Sequence, residues 1–93
     1  MKKIDIKGTI ILDDYKEIYD FYGIENTSVS DVVDALPDDG SDVEVIINSP
    51  GGMVDAGSEI YSQLKSYEGK VTAKVFALAA SAASIIAVGA DET

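Results

Sequence analysis

Val43-Glu44-Val45-Ile46-Ile47-Asn48 runs directly into Ser49-Pro50-Gly51-Gly52, and the reading of this stretch decides the fold. Its first half is short, β-branched and bounded by turn-forming residues, the pattern of a strand. The near-continuous apolar end predicts burial on both faces, as in a parallel sheet. The second half, with Asn48, predicts a glycine turn. Pro50 fixes one φ angle, and Gly51 and Gly52 reach backbone conformations closed to other residues.

Working outward, a helix is expected over about residues 53–67. Ala56, Ile60 and Leu64 fall on one stripe, with Met53, Gly57 and Tyr67 beside it. Val71-Thr72-Ala73-Lys74-Val75-Phe76 reads as the next strand, and residues 81–89 as a helix of small residues. Strand, helix, strand, helix is the order of parallel α/β units. The fold class is therefore α/β, a parallel sheet covered by helices.

Upstream, Ile4, Ile6, Ile10 and Leu12 keep a two-residue period around Gly8, which predicts a strand with a bulge or bend at the glycine. Asp13 and Asp14 offer an N-cap for a short helix over residues 15–22, closed by Gly23, with Ile18, Phe21 and Tyr22 as its apolar face. Ser28 followed by Asp31 resembles a capping box and starts a second helix through Val29, Val32, Val33 and Leu36. Pro37 stops it, and Asp38-Asp39-Gly40 turns the chain.

The balance of 17 acidic residues against 7 basic ones, all lysine, gives a net charge of −10. No basic stripe exists to meet phosphates, so nucleic acid is not an expected partner. The acidity reads as a solvated surface. There is no cysteine and no histidine. Disulfides and thiolate metal sites are excluded, and the usual general base for a serine nucleophile is missing from these 93 residues. No apolar run follows Lys2 and Lys3, so a secretory signal is not expected. The uncharged run 75–90 is shorter than the ~20 residues of a spanning helix and rich in Ala and Ser. It reads as buried core, not membrane.

Ligand sites of parallel sheets gather at the carboxyl ends of strands. Two motifs lie there: the Asn48–Gly52 stretch and Ala79-Ala80-Ser81-Ala82-Ala83-Ser84. The second reads as a strand end that presents a serine at the mouth of a helix. The Gly52 N–H can be aimed outward by its turn. The Ala82 N–H is free in the first helical turn. A serine facing such donors suits acyl transfer. Against this, Pro-Gly-Gly is common turn chemistry, and a serine among alanines also serves close packing.

The combination of Ile47-Asn48-Ser49-Pro50-Gly51-Gly52, Ala56-Gly57, Ile60-Tyr61 and Ala79-Ala80-Ser81 resembles the ClpP family of serine peptidases. The string Leu78-Ala79-Ala80-Ser81-Ala82-Ala83-Ser84-Ile85-Ile86-Ala87 resembles its phage-encoded branch, the head maturation (prohead) proteases. The likeness covers residues 43–91, and the 29 positions from Gly52 to Ser81 agree with it. It implies Ser81 as nucleophile, ahead of the competing Ser84. It also implies Gly52 and Ala82 as oxyanion donors, and Gly51, Met53 and Val54 along the segment that pairs with an extended substrate backbone. No metal or cofactor is implied. A polypeptide substrate, stacked homo-oligomeric rings, an ATP-driven unfoldase and a cytoplasmic location are. The family's His and Asp lie beyond the nucleophile, so residues 1–93 are expected to be the N-terminal portion of one peptidase domain, inactive alone. Lys65, Lys70 and Lys74 have no expected position facing Ser81. Two other readings compete: an acyl-CoA enzyme of the related crotonase fold, for which basic residues are scarce, and a non-catalytic assembly module.

Overall fold

The computed structural model of the protein describes residues 1–75 together with residues 86, 87 and 90. Four strands, β1 (Lys2–Ile11), β2 (Asn26–Ser28), β3 (Val43–Gly52) and β4 (Val71–Val75), form one parallel sheet in the order β2-β1-β3-β4. Helices α1 (Lys16–Phe21), α2 (Val29–Val33) and α3 (Val54–Ser66) fill the three connections, with a 3₁₀ turn at Asp13–Tyr15 ahead of α1. The α/β class read from the strand–helix order is the class the chain adopts. Phe76 and the small-residue helix expected at 81–89 lie outside the described residues, save for Ile86 and Ala87 in a helical conformation.

Residues paired across a parallel ladder point the same way. Ile4 and Ile6 of β1 therefore share a face with Val45 and Ile47 of β3 and with Ala73 of β4, and all five are buried. Val29 and Val32 of α2 and Ala56, Ile60 and Leu64 of α3 close over that face. Each fully buried Ile or Leu contributes about 1.5–3 kcal/mol. Among the described residues only this face is covered. On the other, Lys3, Asp5, Asn48 and Lys74 are exposed and Ile46 is half-buried. Glu44 there is buried and pairs with Lys74 at 3.2 Å. The expectation of burial on both faces is thus corrected: the run Val45-Ile46-Ile47 is continuous in sequence but two-sided in space.

The second correction concerns the glycine stretch. Asn48-Ser49-Pro50-Gly51-Gly52 is no turn; it is the end of β3, paired with β1 at Thr9↔Gly51 and Ile10↔Gly52. The reason lies in β1. As expected from the sequence, β1 bends at Gly8, with φ +69°, where the register shifts: Lys7 pairs with Asn48 but Thr9 with Gly51, so the extra residue of the bulge lies on β3. A Cβ at Gly8 would sit 2.3 Å from the Glu25 carbonyl oxygen, so both conformation and space demand glycine. The bulge lets β1 and β3 stay in contact past Asn48.

The N-terminal half differs in detail. Asn26–Ser28 forms a short strand at the sheet edge, where Thr27 accepts the Lys7 N–H at 3.0 Å and donates to the Lys7 carbonyl at 2.8 Å. The expected helix over 15–22 divides into the 3₁₀ turn and α1, and its apolar face is not buried: Phe21 is 80% exposed. Asp13 does not cap that helix; it accepts from the N–H and hydroxyl of Ser30, in the first turn of α2, instead. The capping box is present, with Ser28 accepting from the Asp31 N–H and Asp31 accepting from the Ser28 N–H, but α2 ends at Val33, ahead of Leu36.

Two outcomes are expected. Gly23, at φ +68°, has nothing within 4 Å of an added Cβ, so Gly23→Ala should cost only the conformational strain, about 1–2 kcal/mol. Gly8→Ala adds a collision with backbone and should cost roughly 1–3 kcal/mol more, read as the difference in urea midpoints. Burial pushes the Asp31 carboxyl up, but the Ser28 N–H and the Lys16 ammonium at 2.9 Å outweigh it and hold it below its ordinary 3.8. A depressed folded value adds stability that is complete above about 3.8 and is lost as pH falls through the folded value. Asp31→Asn should therefore flatten the fall in urea midpoint below pH ~4.

Candidate active site

The carboxyl end of β3 brings together three groups with no charge among them. The chain from Asn48 to Val54 carries no titratable side chain, so whatever it does chemically comes from hydroxyl and backbone dipoles. Residues 43, 45, 47, 49 and 51 are all buried and alternate with more exposed neighbours from Ile46 onward. The strand period thus carries Ser49 and Gly51 inward.

Ser49 is 2% exposed. Its hydroxyl donates to the Gly8 carbonyl at 2.5 Å and accepts the Gly51 N–H at 3.1 Å, with the Gly51 carbonyl 3.3 Å away. Gly51 and Gly52 take φ of +114° and +156°. A Cβ at Gly52 would lie 2.2 Å from the Ile10 carbonyl oxygen and 2.5 Å from its nitrogen. Only glycine lets the backbone lie that close to β1.

The direction of the Gly52 N–H follows from its neighbours. The Thr9 N–H turns to β2, donating to the Glu25 carbonyl at 3.0 Å, whereas the Ile10 carbonyl turns to β3 and accepts the Met53 N–H at 2.8 Å. With the amides of Gly51 and Met53 both directed inward, strand alternation turns the Gly52 N–H between them away from β1. It faces the edge where the β4 pairing reaches Ile47↔Val75. Pro50 lacks an N–H and falls within the register shift, a bulge position that tolerates proline. Gly52 itself is exposed.

Of the site residues expected from sequence, Gly51 is buried, Gly52 is exposed, Met53 is the half-buried N-cap of α3, and Val54 opens that helix at 52% exposure. The N–H of Val54 sits in the first helical turn, where no intrahelical acceptor exists. Ser81, Ala82 and Ser84 lie outside the described residues. The residue that sequence reasoning passed over is Ser49. Reading Val45-Ile47-Ser49 as one inward-facing period would have found it. Among the described residues no cluster of carboxylates is placed to hold a metal ion, and no helix is long and apolar enough to cross a membrane. A groove of about 320 Å³ between Leu36, Gly40, Gln63 and Tyr67 sits at the amino ends of β3 and β4, the end where parallel sheets do not place their ligands.

A family model described as Clp protease matches residues 15–93. The ATP-dependent Clp protease proteolytic subunit 1 of Protochlamydia amoebophila is 35% identical over 83 residues, covering 84% of this chain and 40% of the relative. The proteins of the same description from Chlamydia pneumoniae and Chlamydia muridarum are 43% and 42% identical over 53 residues, covering 57% of this chain and 28% of each relative. The chain thus spans two fifths or less of the length of these relatives. No solved structure matches it. With an α/β sheet whose third strand ends in Ser-Pro-Gly-Gly, and a family match over most of its length, the chain belongs to the Clp protease family.

Proposed function

We propose that this protein acts as a serine-type endopeptidase that cleaves extended polypeptides by acylation of Ser81. The observation that carries the reading is the exposed Gly52 at the sheet's carboxyl end, whose neighbours Gly51 and Met53 bond inward and leave its N–H directed away from β1. In this reading the Ser81 hydroxyl attacks the substrate carbonyl, and its proton passes to a histidine backed by an aspartate. The resemblance to the ClpP family puts both beyond the nucleophile, and residues 1–93 contain no histidine. The N–H groups of Gly52 and Ala82 hold the oxyanion, which in acyl transfer is worth about 10²–10³ in kcat per donor. The substrate backbone lies extended beside the segment of Gly51, Met53 and Val54, paired through groups other than the Gly51 and Met53 N–H, which bond Ser49 and Ile10.

The finer assignment, a phage or prophage head maturation protease, is supported by the likeness of residues 78–87 to that branch. Ring assembly, a cytoplasmic location and an ATP-driven unfoldase partner belong to the same proposal. The names of the Protochlamydia and Chlamydia relatives, ATP-dependent proteolytic subunits, support the last of these.

Intact-mass labelling of the full gene product with a fluorophosphonate tests the reading. One adduct is expected on the wild type and none on Ser81→Ala. Gly52→Ala should lower the labelling rate by at least about 10²-fold, because its Cβ forces the strand end off β1. An unlabelled wild type, or equal labelling of Ser81→Ala, would overturn the serine-nucleophile assignment.

A further inference from the structure

We infer that Ser49 is a positioning residue for acyl transfer: its buried hydroxyl latches the Gly51–Gly52 backbone to the Gly8 carbonyl of β1 and so sets the direction of the Gly52 N–H. The inference rests on the proposed role of Gly52 as an oxyanion donor.

Two consecutive glycines are the least restrained backbone a strand can have, and both here hold positive φ. A catalytic N–H must nonetheless be fixed to within about 0.5 Å and 10–20°. No side chain of Gly51 or Gly52 can supply that restraint, so it must come from outside. Ile10 restrains one side through the Met53 N–H at 2.8 Å. Ser49 restrains the other, through the Gly51 N–H at 3.1 Å.

The anchor for that hydroxyl is the carbonyl of Gly8, at 2.5 Å. Gly8 sits where the β1–β3 register shifts, opposite the extra residue that β3 carries between Asn48 and Gly51, and ladder bonding is locally disrupted there. One side chain therefore bonds a carbonyl at the bulge and holds a glycine amide in place. A serine present only to fill space would be replaceable by alanine. Here alanine would take from the Gly8 carbonyl and the Gly51 amide a partner 2% exposed to solvent.

The experiment compares Ser49→Ala and Ser49→Thr with wild type in the full gene product, with all rates normalised to folded protein. Ser49→Ala should slow fluorophosphonate labelling at Ser81 about 10- to 100-fold, below the loss expected for removing the donor itself. It should lower kcat on a fluorogenic peptide by a similar factor while KM stays within about twofold, the signature of a lost transition-state interaction. Ser49→Thr, which keeps the hydroxyl, should recover most of the rate. A purely structural serine would change the folded fraction and leave the normalised rate alone. Wild-type labelling and kcat in Ser49→Ala would overturn the latch. An unlabelled wild type would overturn the acyl-transfer reading and, with it, the positioning role of Ser49. That case is told apart from failure of the latch because amide exchange at Gly51 would still quicken in Ser49→Ala if the hydroxyl holds that amide.

Discussion

The hydrogen bond from the Ser49 hydroxyl to the Gly8 carbonyl joins the two irregularities on which the sheet depends. Gly8 of β1 takes φ +69°, and β3, which spends one residue more than β1 between the Lys7↔Asn48 and Thr9↔Gly51 pairs, carries two glycines at positive φ. Each irregularity alone would end the pairing between the strands. Together they compensate, so β1 and β3 remain in register to Ile10↔Gly52. The bulge is tied to the sheet's other side as well, through Thr9 to the Glu25 carbonyl and Thr27 to Lys7. The centre of the sheet is thereby bent and held at one end only, the carboxyl end, where α/β folds place their chemistry.

That arrangement separates stability from function along a single strand. Val43, Val45 and Ile47 pack under α2 and α3 and carry the hydrophobic energy. Beyond Ile47 the strand buries only a hydroxyl and a glycine and contributes orientation. Backbone dipoles held rigidly need no reorganisation when charge develops, the feature that makes oxyanion sites effective.

Much of this was legible from local pattern. β-branched runs marked β1, β3 and β4, a 3.6-residue stripe marked α3, and the Ser28/Asp31 pair marked the start of α2. What escaped was decided by non-local contact. Pro-Gly-Gly has the composition of a turn, and only its pairing with β1, some forty positions upstream, holds it extended. Asn26–Ser28 is too short to show a period and is a strand because β1 lies beside it. Ile18, Phe21 and Tyr22 follow helical spacing yet face solvent, since amphipathic spacing does not specify that a partner surface is present. Within the candidate site, the glycines were legible as special, whereas the buried role of Ser49 depended on recognising that the strand continued past Asn48.

The wholly parallel pairing has a consequence for how the chain reaches this state. Among the described strands no two neighbours are joined by a tight hairpin, so none of these pairs can form by local zippering. The central pair, β1 and β3, brings Ile4 to Val45 across 41 positions, and that loop closes before any ladder bond rewards it. Such topology raises contact order and slows folding. The bulge and its serine partner cannot bond until that closure is complete. The carboxyl end of the sheet is therefore expected to be among the last parts of the molecule to take shape, with α2 and α3 already collapsing on the apolar face as it does.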